Sequence, residues 1–177
     1  MDDALIDVVE SQMGLDRQKP EPIRIVVGDA RLALDRVADD SADIVIGDAF
    51  GSRSVPFHLA TEEFIGDVAR VLRPGGTYAA NIIDGGQQRF VAAEAATIAR
   101  QFDHVVVIRG EAIAAGRRGN AVIIARDTPI DAVALDALRV ASGDAGELVD
   151  DFDAFIDGAT ILTDDFAPFD QLTHVCS

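Results

Sequence analysis

Three aspartates stand where an apolar run of residues stops. Asp29 follows the run at 23–27, Asp48 follows the run at 42–46, and Asp84 closes the run at 77–84. A carboxylate can accept hydrogen bonds, hold a cation, or take a proton from a group that must lose one before it reacts. Each also has a plainer role open to it, because aspartate ends strands and caps helices well. In an open α/β sheet the carboxyl ends of the strands form one rim, and ligands bind outside that rim. Acids recurring at successive strand ends would line it. Two more acids, Asp164 and Asp165, sit in the late segment Leu162-Thr163-Asp164-Asp165-Phe166-Ala167-Pro168, where they can add negative charge or form a solvated turn.

Other reactive side chains are sparse. His58 falls in a loop with no second histidine near it in sequence, and His104 and His174 are isolated. The single cysteine, Cys176, stands next to the last residue and cannot form an internal disulfide. No Cys/His cluster has metal-ligand spacing, so no metal is expected.

The elements that must position these acids alternate in type. Residues 23–27 and 42–46 are β-branched runs closed by Gly28-Asp29 and Gly47-Asp48, and both read as buried strands. Between them, Leu32, Leu34 and Val37 among polar residues fit a short helix. After Pro56, Thr61 can cap a helix whose apolar positions Phe64, Ile65, Val68, Val71 and Leu72 follow the i, i+3, i+4 spacing. Arg73-Pro74-Gly75-Gly76 ends it, since proline cannot continue a helix. A strand over 77–84, a helix over about 87–102, a strand over 104–108 and a last strand over 120–125 follow, the last two suited to antiparallel pairing. An Asp- and Ala-rich helical segment is expected over 128–159. Alternating strand and helix is the pattern of a doubly wound sheet.

With 177 residues and 49% hydrophobic content, the chain is expected to form a single α/β domain over 1–177. Its 31 acids against 15 basic residues leave a formal charge of -16. That field repels phosphate backbones and anionic headgroups, which argues against nucleic acid and membrane partners, and it suits a cationic ligand such as a polyamine. The apolar runs are far short of the roughly 20 residues that span a bilayer. Met1-Asp2-Asp3 lacks the basic start of a secretion signal, so a cytoplasmic location is expected.

The blocks Gly28-Asp29-Ala30-Arg31, 42–50 and 55–64 together resemble the spermidine synthase family. Leu72-Arg73-Pro74-Gly75-Gly76, Asn81-Ile82-Ile83-Asp84 and the late 162–168 segment continue the likeness in register, so that it covers nearly the whole chain. The likeness implies a Rossmann-like, class I methyltransferase-type sheet, mostly parallel with an antiparallel C-terminal strand. It aligns residues 4–9 with the helix after the family's second strand, so the chain is expected to lack the first two strands and the glycine-rich cofactor loop.

The resemblance further implies that Asp29 hydrogen-bonds the adenine amino group of an S-adenosyl nucleoside and that Ala30 lies against the ring. Asp48 would be the catalytic acid beside the reacting centre, and Asp84, Asp164 and Asp165 would face an amine substrate. The cofactor would be decarboxylated S-adenosylmethionine or S-adenosylmethionine, with weak or absent binding expected in this chain. After Asp48 the chain runs Ala49-Phe50-Gly51-Ser52-Arg53, without the second acid that polyamine-forming members use. Methyl transfer with the same cofactor is therefore an alternative, as is a non-catalytic module that keeps the fold. In the family's sheet order the strand at 23–27 is separated from the one at 42–46 by the two missing strands. The exposed edges that result predict a homodimer.

Overall fold

The computed structural model describes residues 25–50 and 55–173. The chain divides into two compact units, Met1–Arg36 and Val37–Ser177. In the first unit, α1 (Ala30–Leu34) begins at Asp29, whose Oδ1 accepts from the N–H groups of Arg31 at 3.0 Å and Leu32 at 3.2 Å. The expected strand at 23–27 is only partly within the described residues. Residues 25–27 carry no strand, and Val26 and Val27 are exposed, so no sheet partner among the described residues rewards their β-branched character.

In the second unit, α2 (Glu62–Val71) forms as its apolar spacing predicts, with Phe64, Ile65, Val68 and Val71 buried. The Thr61 hydroxyl accepts from the N–H of Phe64 at 3.4 Å, the N-cap expected of it. The helix ends at Leu72, and the chain leaves directly into a 13-residue strand, β2 (Leu72–Asp84). β1 (Ala42–Gly47) pairs with β2 in parallel. β3 (His104–Arg109) and β4 (Gly119–Arg126) complete a sheet of order β1-β2-β4-β3-β5, with β5 (Glu147–Leu148) at the far edge. The sheet is the mixed α/β type expected, but its only parallel pair among the described strands is β1·β2. The pairs β2·β4, β3·β4 and β3·β5 are antiparallel.

Alternation decides which face is core. Tyr78, Ala80, Ile82 and Asp84 of β2 are buried, and Ala121, Ile123 and Ala125 of β4 sit opposite Ile82, Ala80 and Tyr78 in register. Val107 of β3 continues the row beyond Ile123. α2 and α3 (Arg89–Ile98) pack on this face, α3 with Phe90, Val91, Ala95 and Ile98 buried. α3 is shorter than the expected 87–102 because it starts only after the turn at Gly85-Gly86 and ends at Ala99. On β1 the other face shows Ile44 at 62% and Ile46 at 72% exposure.

The short helix α4 (Glu111–Ala114) precedes β4. The expected helix over 128–159 is broken in two: α5 (Ala132–Ala141) follows β4, and α6 (Phe152–Ile156) comes after β5. Gly143, at φ +80°, stops α5 in the left-handed conformation that glycine tolerates. Gly146 then passes so close to β3 that a Cβ there would meet the Arg109 carbonyl oxygen at 2.5 Å. That approach admits β5 to the sheet edge, where Arg109 also pairs with Glu147. α7 (Phe169–Thr173) ends the described chain, with the Phe169 ring against Phe90 at 4.6 Å between centroids.

The late segment is tied down by Leu162. Its N–H donates to the Thr97 hydroxyl at 2.9 Å, its carbonyl accepts from the Glu62 N–H at 2.8 Å, and its side chain is buried. Thr97→Val keeps the shape and removes the acceptor, stranding a buried N–H. We expect a loss of about 1–3 kcal/mol in urea unfolding, largely restored by Thr97→Ser. An unchanged midpoint in the valine variant would show that the Leu162 amide is satisfied in another way.

Candidate functional site

Asp48 emerges from the carboxyl end of β1 with its side chain exposed. Gly47 immediately before it lies against the buried Tyr78 ring, where a Cβ would meet the phenol oxygen at 2.8 Å. Asp48 Oδ1 accepts from Asn81 Nδ2 at 2.8 Å, and Asn81 Oδ1 in turn accepts from Asn120 Nδ2 at 2.9 Å. Asp48 Oδ2 takes no hydrogen bond among the described residues. The carboxylate is held at one oxygen and open at the other.

Asp84, expected to face substrate, is buried and committed to the backbone. Its Oδ1 accepts from the Gly85 N–H at 2.6 Å, and its Oδ2 from the N–H groups of Phe90 at 2.9 Å and Val91 at 3.0 Å. The expectation of an amine ligand at Asp84 is corrected accordingly: Oδ1 is taken by the turn after β2 and Oδ2 by the start of α3. Burial raises its pKa, opposed by those three amides and by the charge of Arg118. Glu94, one turn further along α3, is also buried, and its Oε2 has no hydrogen-bond partner among the described residues. Burial, and then the charge of Asp84, push the Glu94 carboxyl up to about 8. Burial and the charge of Glu94 likewise raise the Tyr78 phenol.

Asp164 lines a cavity of about 580 Å³ bounded by Val55, Pro56, Phe57, Pro168, Phe169 and Asp170. It is oriented by the Thr61 hydroxyl, which donates to its Oδ1 at 2.7 Å, while its N–H donates to Glu63 Oε2 at 2.9 Å. Asp165 is exposed on the turn closed by the Thr163–Phe166 bridge and does not line the cavity, because successive residues of a turn face different ways. Asp170, which sequence reasoning passed over, does line it. Among the described lining residues, Asp164 and Asp170 stand beside the rings of Phe57 and Phe169, and none is a lysine, arginine or histidine. Asp48 is not part of this lining. Gly51, Ser52 and Arg53 lie outside the described residues.

In the other unit Asp29 and Ala30 are exposed, and Gly28 beside them, at φ +151°, has open space where a Cβ would be. Among the described residues no group of three or more His, Cys, Asp and Glu side chains could hold a metal ion. No described helix is long and apolar enough to cross a membrane.

A mixed sheet of this order, with helices α2 and α3 on one face and an open aspartate at the rim, defines a Rossmann-like class I S-adenosylmethionine-dependent transferase fold of the spermidine synthase type. Solved structures carry that conclusion. A probable spermidine synthase from Corynebacterium glutamicum matches at 26% identity and a TM-score of 0.82 over 94% of this chain and 62% of that one. A spermidine synthase in complex with the transition state analogue AdoDATO matches at 15% identity and a TM-score of 0.54, over 93% of this chain and 55% of that one. Human methyltransferase-like protein 13 in complex with SAH matches at 14% identity and 0.56, over 97% of this chain and 75% of that one. The chain thus spans less than two thirds of the length of either spermidine synthase. No family model matches the sequence, and no curated protein matches it.

The buried acids make stability depend on pH. Between the ordinary carboxyl value of 4.5 and about 8 the folded protein holds a proton on Glu94 that the unfolded chain has released. Stability therefore falls as pH rises through that window, with a slope of up to about 1.4 kcal/mol per pH unit from this group, and levels off above it. Asp84, also raised, adds a contribution of the same sign. We expect Glu94→Gln to flatten the decline in unfolding free energy measured by urea titration from acid to mildly alkaline pH. Parallel curves for the two proteins would show that Glu94 does not titrate in this way.

Proposed function

We propose that this chain carries the amine side of an aminopropyl-transfer site, using an S-adenosyl nucleoside as donor and Asp48 as the proton acceptor. The observation that carries this reading is Asp48 itself: an exposed carboxylate at the carboxyl end of a parallel strand, anchored among the described residues through its Oδ1. The likeness to the probable spermidine synthase over 94% of the chain supports the reading. So does the acidic, aromatic-walled cavity at Asp164 and Asp170, whose charge suits an ammonium group.

An S-adenosyl nucleoside presents a carbon made electrophilic by the adjacent sulfonium. Asp48 orients the acceptor amine and takes its proton as the amine nitrogen bonds to that carbon. The carbon–sulfur bond breaks, its electron pair stays on sulfur, and a neutral thioether leaves. Asp164 and Asp170 hold the far, still protonated end of a diamine. Methyl transfer has the same balance with a different group on sulfur, and the likeness to a methyltransferase bound to SAH keeps it as the second reading.

Asp48→Asn is expected to lower turnover by ~10²-fold or more while leaving binding of methylthioadenosine, measured by calorimetry, unchanged. Asp170→Asn should raise KM for a diamine by about 2- to 5-fold, most at low ionic strength, with little change in kcat. Assays with S-adenosylmethionine and with its decarboxylated form separate the two readings, and full turnover in Asp48→Asn would remove this residue from the mechanism.

We also propose self-association through the edge strand β1, on which Ile44 and Ile46 are exposed. Sedimentation should then show a dimer or larger species that dissociates in an Ile46→Lys variant. A stable monomer at micromolar concentration would overturn it.

A further inference from the structure

A chain of amide side chains crosses three neighbouring strands and ends on Asp48. Its geometry follows from register. Gly47 pairs with Ala80, so the next residues, Asp48 and Asn81, lie side by side. Ile83 pairs with Asn120 and Asn81 with Val122, which puts Asn120 diagonal to Asn81 on the same face, within reach of a long-armed contact. Asn120 Nδ2 donates to Asn81 Oδ1 at 2.9 Å, and Asn81 Nδ2 donates to Asp48 Oδ1 at 2.8 Å.

The order of donors and acceptors gives the chain a direction. An asparagine amide turned over would set its carbonyl oxygen against the carboxylate, two acceptors facing each other. The donor from Asn120 occupies the carbonyl end of Asn81 and so favours the orientation that offers N–H to Asp48. These side chains are not in the core, and water could satisfy each of them, so the net stability to be gained is small. What water would not supply is a fixed direction for the carboxylate.

We propose that Asn81 is a positioning residue for Asp48, and that Asn120 acts one step further back by setting the orientation of Asn81. The inference rests on the reading of Asp48 as proton acceptor. With Oδ1 held, Oδ2 is the oxygen that meets the amine, and its angle to the incoming nitrogen no longer depends on free rotation of the carboxylate. Orientation of this kind acts on the rate of the proton-coupled step rather than on binding.

The test is a double-mutant cycle on the full chain, with an NMR readout that needs no turnover. Asn81→Ala is expected to lower kcat by about 10-fold with KM for both substrates within about 2-fold, and Asn120→Ala to act in the same direction by less. In an Asp48→Asn background, adding Asn81→Ala should cost nothing further, because the residue acts only through Asp48. The side-chain amide signals of Asn81 should move in both Asp48→Asn and Asn120→Ala. If Asp48→Asn has lost turnover while Asn81→Ala keeps it, or if the two losses multiply, the positioning role is overturned and the function reading stands. Unmoved Asn81 amide signals overturn it equally. Full turnover in Asp48→Asn would instead overturn the function reading, and the positioning role with it.

Discussion

A carboxylate removed from water must find its hydrogen bonds in the protein, and Asp84 finds three in the turn and helix that follow it. α3 has no cap of the usual kind: Gln88 stands at the N-cap position with φ +53° and makes no side-chain hydrogen bond to the helix. The first N–H groups of a helix need acceptors, and those of Phe90 and Val91 are supplied from the end of β2 instead. The negative charge also sits at the positive end of the helix. Strand and helix are thereby joined at one carboxylate, which sets the angle at which α3 crosses the sheet.

Much of the second unit hangs on α3 once it is placed. Phe90 and Ile98 fill the space over β2 and β4, and Phe90 receives the ring of Phe169 from the final helix. Thr97 binds the backbone of Leu162, and Asp164 two residues later walls the acidic cavity. Glu94 lies between these contacts in the same buried stretch. With Asp84 nearby, a second ionised carboxylate there would be costly, and a proton on Glu94 is the cheaper arrangement at neutral pH. A polar residue at a core position of the helix is thus tolerated as a neutral acid.

Local pattern carried the sequence reading as far as local pattern determines structure. The spacing of Phe64, Ile65, Val68 and Val71 and the Thr61 cap announced α2, and the β-branched runs announced β1, β3 and β4. The antiparallel pairing of the last two strands was also legible. What failed depended on partners distant in sequence. Residues 25–27 look like a strand but have no strand beside them among the described residues, and 128–159 looks like a helix until Gly143 and Gly146 steer it past β3. Asn81 and Asn120 are 39 residues apart, and only the register of β2 against β4 reveals that they meet. Asp170 was missed because the folded tail, rather than any motif, brings it to Phe57.

Asp48 and Asp84 show how one residue type at two strand ends acquires opposite roles. Successive side chains of a strand point to opposite faces, so each aspartate inherits its face from the residues two and four before it. Asp84 continues the row of Ala80 and Ile82, which α3 covers, and it is drawn into the core with them. Asp48 continues the row of Ile44 and Ile46, which are exposed, and it stays open at the rim. The parity of both was readable from the sequence, but which parity faces the helices was not. Helices α2 and α3 settle it by packing against Tyr78, Ile82 and Ile123, and the choice leaves the opposite face of the same sheet to Asn81 and Asp48. The aspartate that holds the fold together and the one available for chemistry are separated by that single assignment of faces.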